Sequence, residues 1–61
     1  MPIVQVEILE GRSLEQKRKL VEKVTDALVE SINCSREAVL VVIREMKKDN
    51  FSTGGTLWTD K

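Results

Sequence analysis

The run AVLVVIREM at residues 38–46 decides the fold, because it is almost continuously apolar and rich in valine. A run of this kind is typical of a strand that is covered on both faces, as in a parallel sheet. A parallel partner strand needs a crossover connection, which is usually a helix. The residues before 38 should therefore hold a strand followed by a helix, and both patterns are present there.

The partner strand is predicted from the alternation of apolar and polar side chains over residues 2–9. A period of two with β-branched residues favours a strand with one firmly buried face. The expected buried face consists of Val4, Val6 and Ile8, and the other face of Ile3, Gln5, Glu7 and Leu9. Pro2 begins the strand, where a missing backbone N–H is tolerated.

The connecting helix has a sequence signal at its start and at its end. Ser13 and Gln16 have the S-x-x-Q spacing of a capping box, which satisfies two backbone N–H groups at a helix start. The helix is expected to run for about five turns and to end near Asn33. Its predicted apolar face consists of Leu20, Val21, Val24, Ala27, Leu28 and Ile32.

The predicted fold class is α+β, a single domain over residues 1–61 built from one βαβ unit of two parallel strands and one crossover helix. Gly54 and Gly55 lie between short β-prone segments, which predicts a short C-terminal hairpin. One helix covers only one face of a two-stranded sheet, and so small a sheet is not stable alone. We therefore expect a homo-oligomer in which the chains join their sheets into larger ones.

Composition excludes several classes of function. Ten basic and ten acidic residues balance, so nothing suggests a nucleic-acid partner or an anionic membrane surface. The chain has one cysteine and no histidine, so an internal disulfide is excluded and a zinc site is not expected. We expect no other metal site and no cofactor. No apolar stretch has the length of a membrane span, and no leader is recognised, which makes a cytoplasmic location the expectation.

Several short motifs together resemble the 4-oxalocrotonate tautomerase family. They are Pro2, ILEGRS at residues 8–13, EQK at 15–17, REM at 44–46 and F-x-x-GG at 51–55. The resemblance covers nearly the whole chain and implies a βαβ monomer that assembles as a hexamer, a trimer of dimers. It also implies an isomerase that moves a proton in keto–enol or dienol–enone shifts of small 2-hydroxy-dienoate or enol carboxylic acids.

The resemblance assigns the role of general base to Pro2 once Met1 has been removed. Inside a chain the proline nitrogen is an amide without basicity, whereas at the N-terminus it is a secondary amine. A free α-amino group titrates near pH ~8, and an apolar pocket or a nearby cation lowers its pKa. Such an amine is partly neutral at neutral pH, where a general base works best.

The resemblance also assigns a catalytic and substrate-binding role to Arg12 and a pocket-lining role to Phe51. A guanidinium grips a carboxylate with two parallel hydrogen bonds, and it can stabilise a developing enolate. A strand rises ~3.3 Å per residue, which separates Arg12 from Pro2 by roughly 20 to 30 Å within one chain. The small-molecule site is therefore expected to be shared between subunits.

Leu40 departs from the family pattern. Well-characterised members carry a second arginine at the aligned position, which contacts a dicarboxylate substrate. Arg44 shares a strand face with Leu40 but lies about 13 Å away along the strand, and Arg36 is equally far the other way. The sequence thus leaves two functions open, a tautomerase of altered specificity or a non-catalytic oligomeric binding module that keeps the fold.

Overall fold

A computed structural model describes residues Met1–Lys61 and shows two packed layers, one of sheet and one of helix. The elements are β1 (Ile3–Leu9), α1 (Leu14–Ile32), β2 (Leu40–Met46), β3 (Ser52–Thr53) and β4 (Thr56–Leu57). Strands β1 and β2 are parallel, and β3 and β4 form an antiparallel hairpin. The predicted βαβ unit and C-terminal hairpin are both confirmed.

Helix α1 begins and ends where the sequence predicts. The hydroxyl of Ser13 accepts from the Gln16 backbone N–H, and the Gln16 side chain accepts from the Ser13 N–H, which completes the capping box. Asn33 closes the helix in the left-handed conformation at φ 55°. Of the predicted apolar face, Leu20, Val21, Val24 and Leu28 are half-buried in the single chain, whereas Ala27 and Ile32 are exposed.

Strand β2 begins at Leu40, two residues later than predicted. Residues Arg36–Ala38 form a 3₁₀ turn that carries the chain from the helix end back to the sheet. The Val39 N–H donates to the Arg36 carbonyl, so these residues bond within the turn instead of the sheet. Arg36 lies in this turn, so the strand spacing used for its distance from Leu40 does not apply to it.

The sheet has one covered face and one open face. Val4, Val6 and Ile43 are half-buried beneath α1. On the opposite face Ile3 is 58% exposed and Leu40 43% exposed, and the two residues are paired across the sheet. Within one chain β2 is thus covered on one face only, and the second cover that the sequence predicts is not supplied by the chain itself.

The single chain is extended for its length. Its radius of gyration is 14.6 Å, against about 10.5 Å for a compact domain of this length. The hairpin turns at Gly54 and Gly55, both with positive φ as a two-residue loop requires. The molecule is 43 Å long. No residue is fully buried. The single α-helix is too polar to cross a lipid bilayer.

Candidate active site

Pro2 lies at the start of the sheet, beside the first residue of β2. The Leu40 N–H donates to the Pro2 carbonyl over 3.0 Å. Met1 is 86% exposed, so its removal takes no packed side chain from the fold. While Met1 is attached the Pro2 nitrogen is a peptide amide, and only its release creates an amine at this end of the sheet.

Arg12 lies at the opposite end of the sheet, in the loop between β1 and α1. Its Nη1 donates to the carbonyl of Leu9, the last residue of β1, over 3.1 Å. The loop is held to β2 by the Glu10 N–H, which donates to the Met46 carbonyl over 2.8 Å. The guanidinium is therefore exposed on a loop whose entry from the sheet is fixed.

Arg12 is also free of any carboxylate partner in the chain. Arg18 pairs with Glu15 on the surface of α1, and Arg36 pairs with Asp26. The hydrogen bond and the charge of Asp26 raise the pKa of Arg36. Arg12 makes no such pair, so its charge is available to an anion brought from outside.

Arg44 is the other arginine without a carboxylate partner, but its surroundings differ. Its Nη1 donates to the Gln5 side chain over 2.9 Å on the open face of the sheet. Arg44 stands opposite Glu7 in the strand pairing, near the middle of the strands. Within one chain it therefore lies at neither end of the sheet and away from Leu40.

Phe51 packs on Trp58 within the C-terminal segment. The two ring centroids are 5.6 Å apart, with the planes inclined at 52°. The backbone N–H of Trp58 also donates to the Phe51 carbonyl over 2.9 Å. Aromatic pairs at this separation add favourable contact beyond burial alone. Trp58 is thus packed against Phe51 in its own chain.

The two groups of candidate residues are separated. Pro2 and Leu40 lie at one end of the parallel sheet, whereas Arg12 and Phe51 follow the carboxyl ends of β1 and β2. The seven residues of β1 separate the two ends by roughly 20 to 30 Å. A single chain therefore cannot bring the amine and the guanidinium to one small molecule.

Two contacts were not foreseen from the sequence. Leu40 stands out in the sequence only because it departs from the family pattern, yet its backbone N–H donates directly to the Pro2 carbonyl. The signal was present, because a parallel pairing places the start of one strand beside the start of the other. Lys17 forms an ion pair with Glu45 between α1 and β2, and a charge in each of two otherwise apolar faces could have indicated it.

Comparison with known proteins assigns the family. The family described as tautomerase enzyme matches residues 2–61. The 2-hydroxymuconate tautomerase of Bacillus subtilis is 50% identical over 60 residues, which span 98% of this chain and 97% of that protein. A crystal structure of a 4-oxalocrotonate tautomerase homologue superposes with a TM-score of 0.94, at 48% identity and over 98% of both chains.

A third relative is a subunit of a heterohexameric 4-oxalocrotonate tautomerase from Chloroflexus aurantiacus. It superposes with a TM-score of 0.92 at 27% identity, over 98% of this chain and 97% of that one. The match of these proteins extends through β1, α1, β2 and the hairpin, since it leaves almost no residue uncovered. The expected family and enzyme class are confirmed, and this chain belongs to the tautomerase family of isomerases.

Proposed function

We propose that this enzyme catalyses keto–enol or dienol–enone proton shifts on small 2-hydroxy-dienoate or enol carboxylic acids, with the amine of Pro2 as general base. The amine accepts the proton of the substrate hydroxyl and delivers it to a carbon of the conjugated system. The atoms of substrate and product are the same, so no co-reactant is needed. The relative that acts on 2-hydroxymuconate supports this substrate class.

Arg12 is proposed to bind the substrate carboxylate and to stabilise the charge that develops on the enolate oxygen. A preorganised cation at that oxygen lowers the barrier without reorganisation during the reaction. The observation that carries the proposal is that Arg12 is exposed, has no carboxylate partner and is hydrogen-bonded to the strand end. Phe51 would add apolar surface beside the amine and so favour its neutral form.

The site is proposed to form between subunits. The sheet has two free edges, whose unpaired backbone groups can bond to another chain. If two β1 edges pair antiparallel, the start of one strand lies beside the end of the other. Pro2 of one chain then meets Arg12 and Phe51 of its neighbour. We propose a homohexamer, and the heterohexameric relative supports an assembly of six chains.

The proposed activity is tested on protein whose mass shows that Met1 is absent. Ketonisation of 2-hydroxymuconate and of phenylenolpyruvate is followed by the loss of the conjugated enol absorbance. Turnover that saturates with either substrate is expected. If neither substrate, nor any other enol acid of this class, is converted above the buffer rate, the chain is a binding module that keeps the fold.

Leu40→Arg is expected to raise kcat/KM for 2-hydroxymuconate by about tenfold, and for phenylenolpyruvate by less than about twofold. The Leu40 backbone N–H donates to the Pro2 carbonyl, which places this residue beside Pro2. Leu40 is 43% exposed, so a longer side chain has room on the open face. A new guanidinium helps only where the substrate carries or develops charge. The monoacid has no second carboxylate at that end.

Leu40→Met is the matched control, because it lengthens the side chain without adding charge. It should leave the ratio of the two kcat/KM values unchanged. Both variants are compared with the parent at equal assembly, checked by light scattering. An equal change for the diacid and the monoacid in Leu40→Arg would show that this position does not set specificity.

A further inference from the structure

One ion pair joins the helix layer to the sheet layer at the Arg12 end. The Lys17 ammonium contacts the Glu45 carboxylate, and the two side chains are 25% and 37% exposed. The Arg18–Glu15 pair, one residue further along the chain, is 63% and 80% exposed and stays within the helix. Of these two pairs, only Lys17–Glu45 fixes α1 relative to β2.

Both members of this pair occupy positions that their own elements disfavour. Lys17 lies at the start of α1, where the positive end of the helix dipole repels a cation. Glu45 lies in a valine-rich strand on the face that α1 covers, opposite Ile8, and glutamate is depleted in strands. Each residue is stabilised by the opposite charge of the other, so the ion pair explains why both occupy these positions.

Each member of the ion pair is linked through the backbone to one end of the loop that carries Arg12. Glu45 precedes Met46, whose carbonyl accepts the Glu10 N–H at the start of the loop. Lys17 donates its backbone N–H to the Ser13 carbonyl at the end of the loop, over 3.1 Å. The loop runs from β1 to α1 and is hydrogen-bonded to β2 at Glu10, so the ion pair joins the helix at one end of the loop to the strand that holds its other end.

Inside the loop little else fixes the guanidinium. Gly11 has φ 121°, a conformation that other residues rarely adopt, and nothing lies within 4 Å of the position its Cβ would take. Arg12 makes a single hydrogen bond, to the Leu9 carbonyl. Its placement then depends on how the start of α1 is held against the end of β2.

We propose that Lys17 and Glu45 are positioning residues for Arg12. Their ion pair sets the distance and angle between the start of α1 and the end of β2, and so the point at which the guanidinium meets the substrate carboxylate. This inference rests on the proposed function of Arg12. A displacement of about 1 Å in a group that aligns a substrate can cost up to about 10²-fold in rate.

The first test is Lys17→Met, which keeps the length and helix propensity of the side chain and removes its charge. We expect kcat/KM for phenylenolpyruvate to fall about tenfold. Arg18→Met is the matched control on the same helix turn and should change kcat/KM by less than about twofold. The reversed pair Lys17→Glu with Glu45→Lys should recover part of the activity lost in Lys17→Met.

The deciding test repeats Lys17→Met in an Arg12→Ala background. If the pair acts through Arg12, its loss should cause no further fall in kcat/KM once Arg12 is gone. A merely structural role would lower kcat/KM by the same factor in both backgrounds, and that result overturns the inference. Full activity of Lys17→Met in the parent would overturn it as well.

Failure of the proposed function gives a different result. If Arg12→Ala itself keeps parental kcat/KM, the role of Arg12 is wrong, whatever Lys17→Met does. Should Lys17→Met fail to assemble, Glu45→Gln removes the charge but keeps the shape and the hydrogen-bond acceptor. We expect about a threefold fall for Glu45→Gln, absent again in the Arg12→Ala background, and an equal fall in both backgrounds overturns the inference.

Discussion

A chain whose proline nitrogen is blocked is expected to lose about 10²- to 10⁴-fold in kcat for ketonisation, the usual contribution of a general base. The nitrogen of Pro2 is a secondary amine only when Met1 is absent. With Met1 attached, or with an acetyl group in its place, its lone pair is delocalised into an amide and accepts no proton. The hydrogen bond from Leu40 to the Pro2 carbonyl is unaffected by either change.

The 61-residue chain is short enough for chemical synthesis, so the N-terminus can be set at will. Three versions are compared, one beginning at Met1, one beginning at a free Pro2 and one beginning at N-acetyl-Pro2. Only the version that begins at a free Pro2 should convert the substrate rapidly. Pro2→Ala, which has a primary amine in place of the secondary amine, should give an intermediate rate. Full turnover by the acetylated chain would show that another group is the base.

Arg12→Ala is expected to lower kcat/KM by about 10²- to 10³-fold, as loss of a group that stabilises a developing oxyanion does. In the structure this guanidinium has no carboxylate partner and donates only to the Leu9 carbonyl. Its removal should cost little stability, because the side chain is exposed and unpaired. The fall should therefore appear in kinetics and not in the unfolding temperature.

Two further variants sharpen the result for Arg12. Arg12→Lys keeps the charge but cannot form two parallel hydrogen bonds, so an intermediate kcat/KM is expected. Arg18→Ala removes a surface guanidinium that is paired with Glu15 and should leave turnover unchanged within about twofold. Parental kcat/KM in Arg12→Ala would remove this arginine from the mechanism.

Local signals predicted the elements of the fold well. The capping box of Ser13 and Gln16 marked the start of α1, and Asn33 marked its end. The glycine pair at residues 54–55 marked the hairpin. In each case a few adjacent residues satisfy the backbone groups or supply the dihedral angles that the element needs, so the information lies in the sequence itself.

The sequence-based predictions that differ from the structure concern how one element packs against or connects to the next. Ala27 and Ile32 continue the apolar periodicity of α1, but they are exposed in the single chain. The second strand was predicted from residue 38 but begins only at Leu40, because residues Arg36–Ala38 form a 3₁₀ turn after the helix. Periodicity reports which residues share a face, but not where the neighbouring layer ends.

The candidate site likewise contains residues that the sequence identifies and contacts between elements that it does not. Pro2, Arg12 and Phe51 were found by resemblance, and the length of β1 predicted that the first two are far apart. The Lys17–Glu45 pair was not found, because a contact between residues 28 positions apart depends on how α1 packs on β2. Which chain supplies which residue depends on pairing between molecules, and a single chain does not contain that information.

Subunit complementation tests the shared site most directly. A chain with N-acetyl-Pro2 and a separate Arg12→Ala chain are each expected to be nearly inactive. When the two are unfolded, mixed and refolded, some interfaces bring the free Pro2 of one chain to the intact Arg12 of the other. With mixed assemblies verified by native mass, we predict turnover well above that of either parent. Turnover that stays at the average of the two parents would contradict a site formed by Pro2 and Arg12 of different subunits.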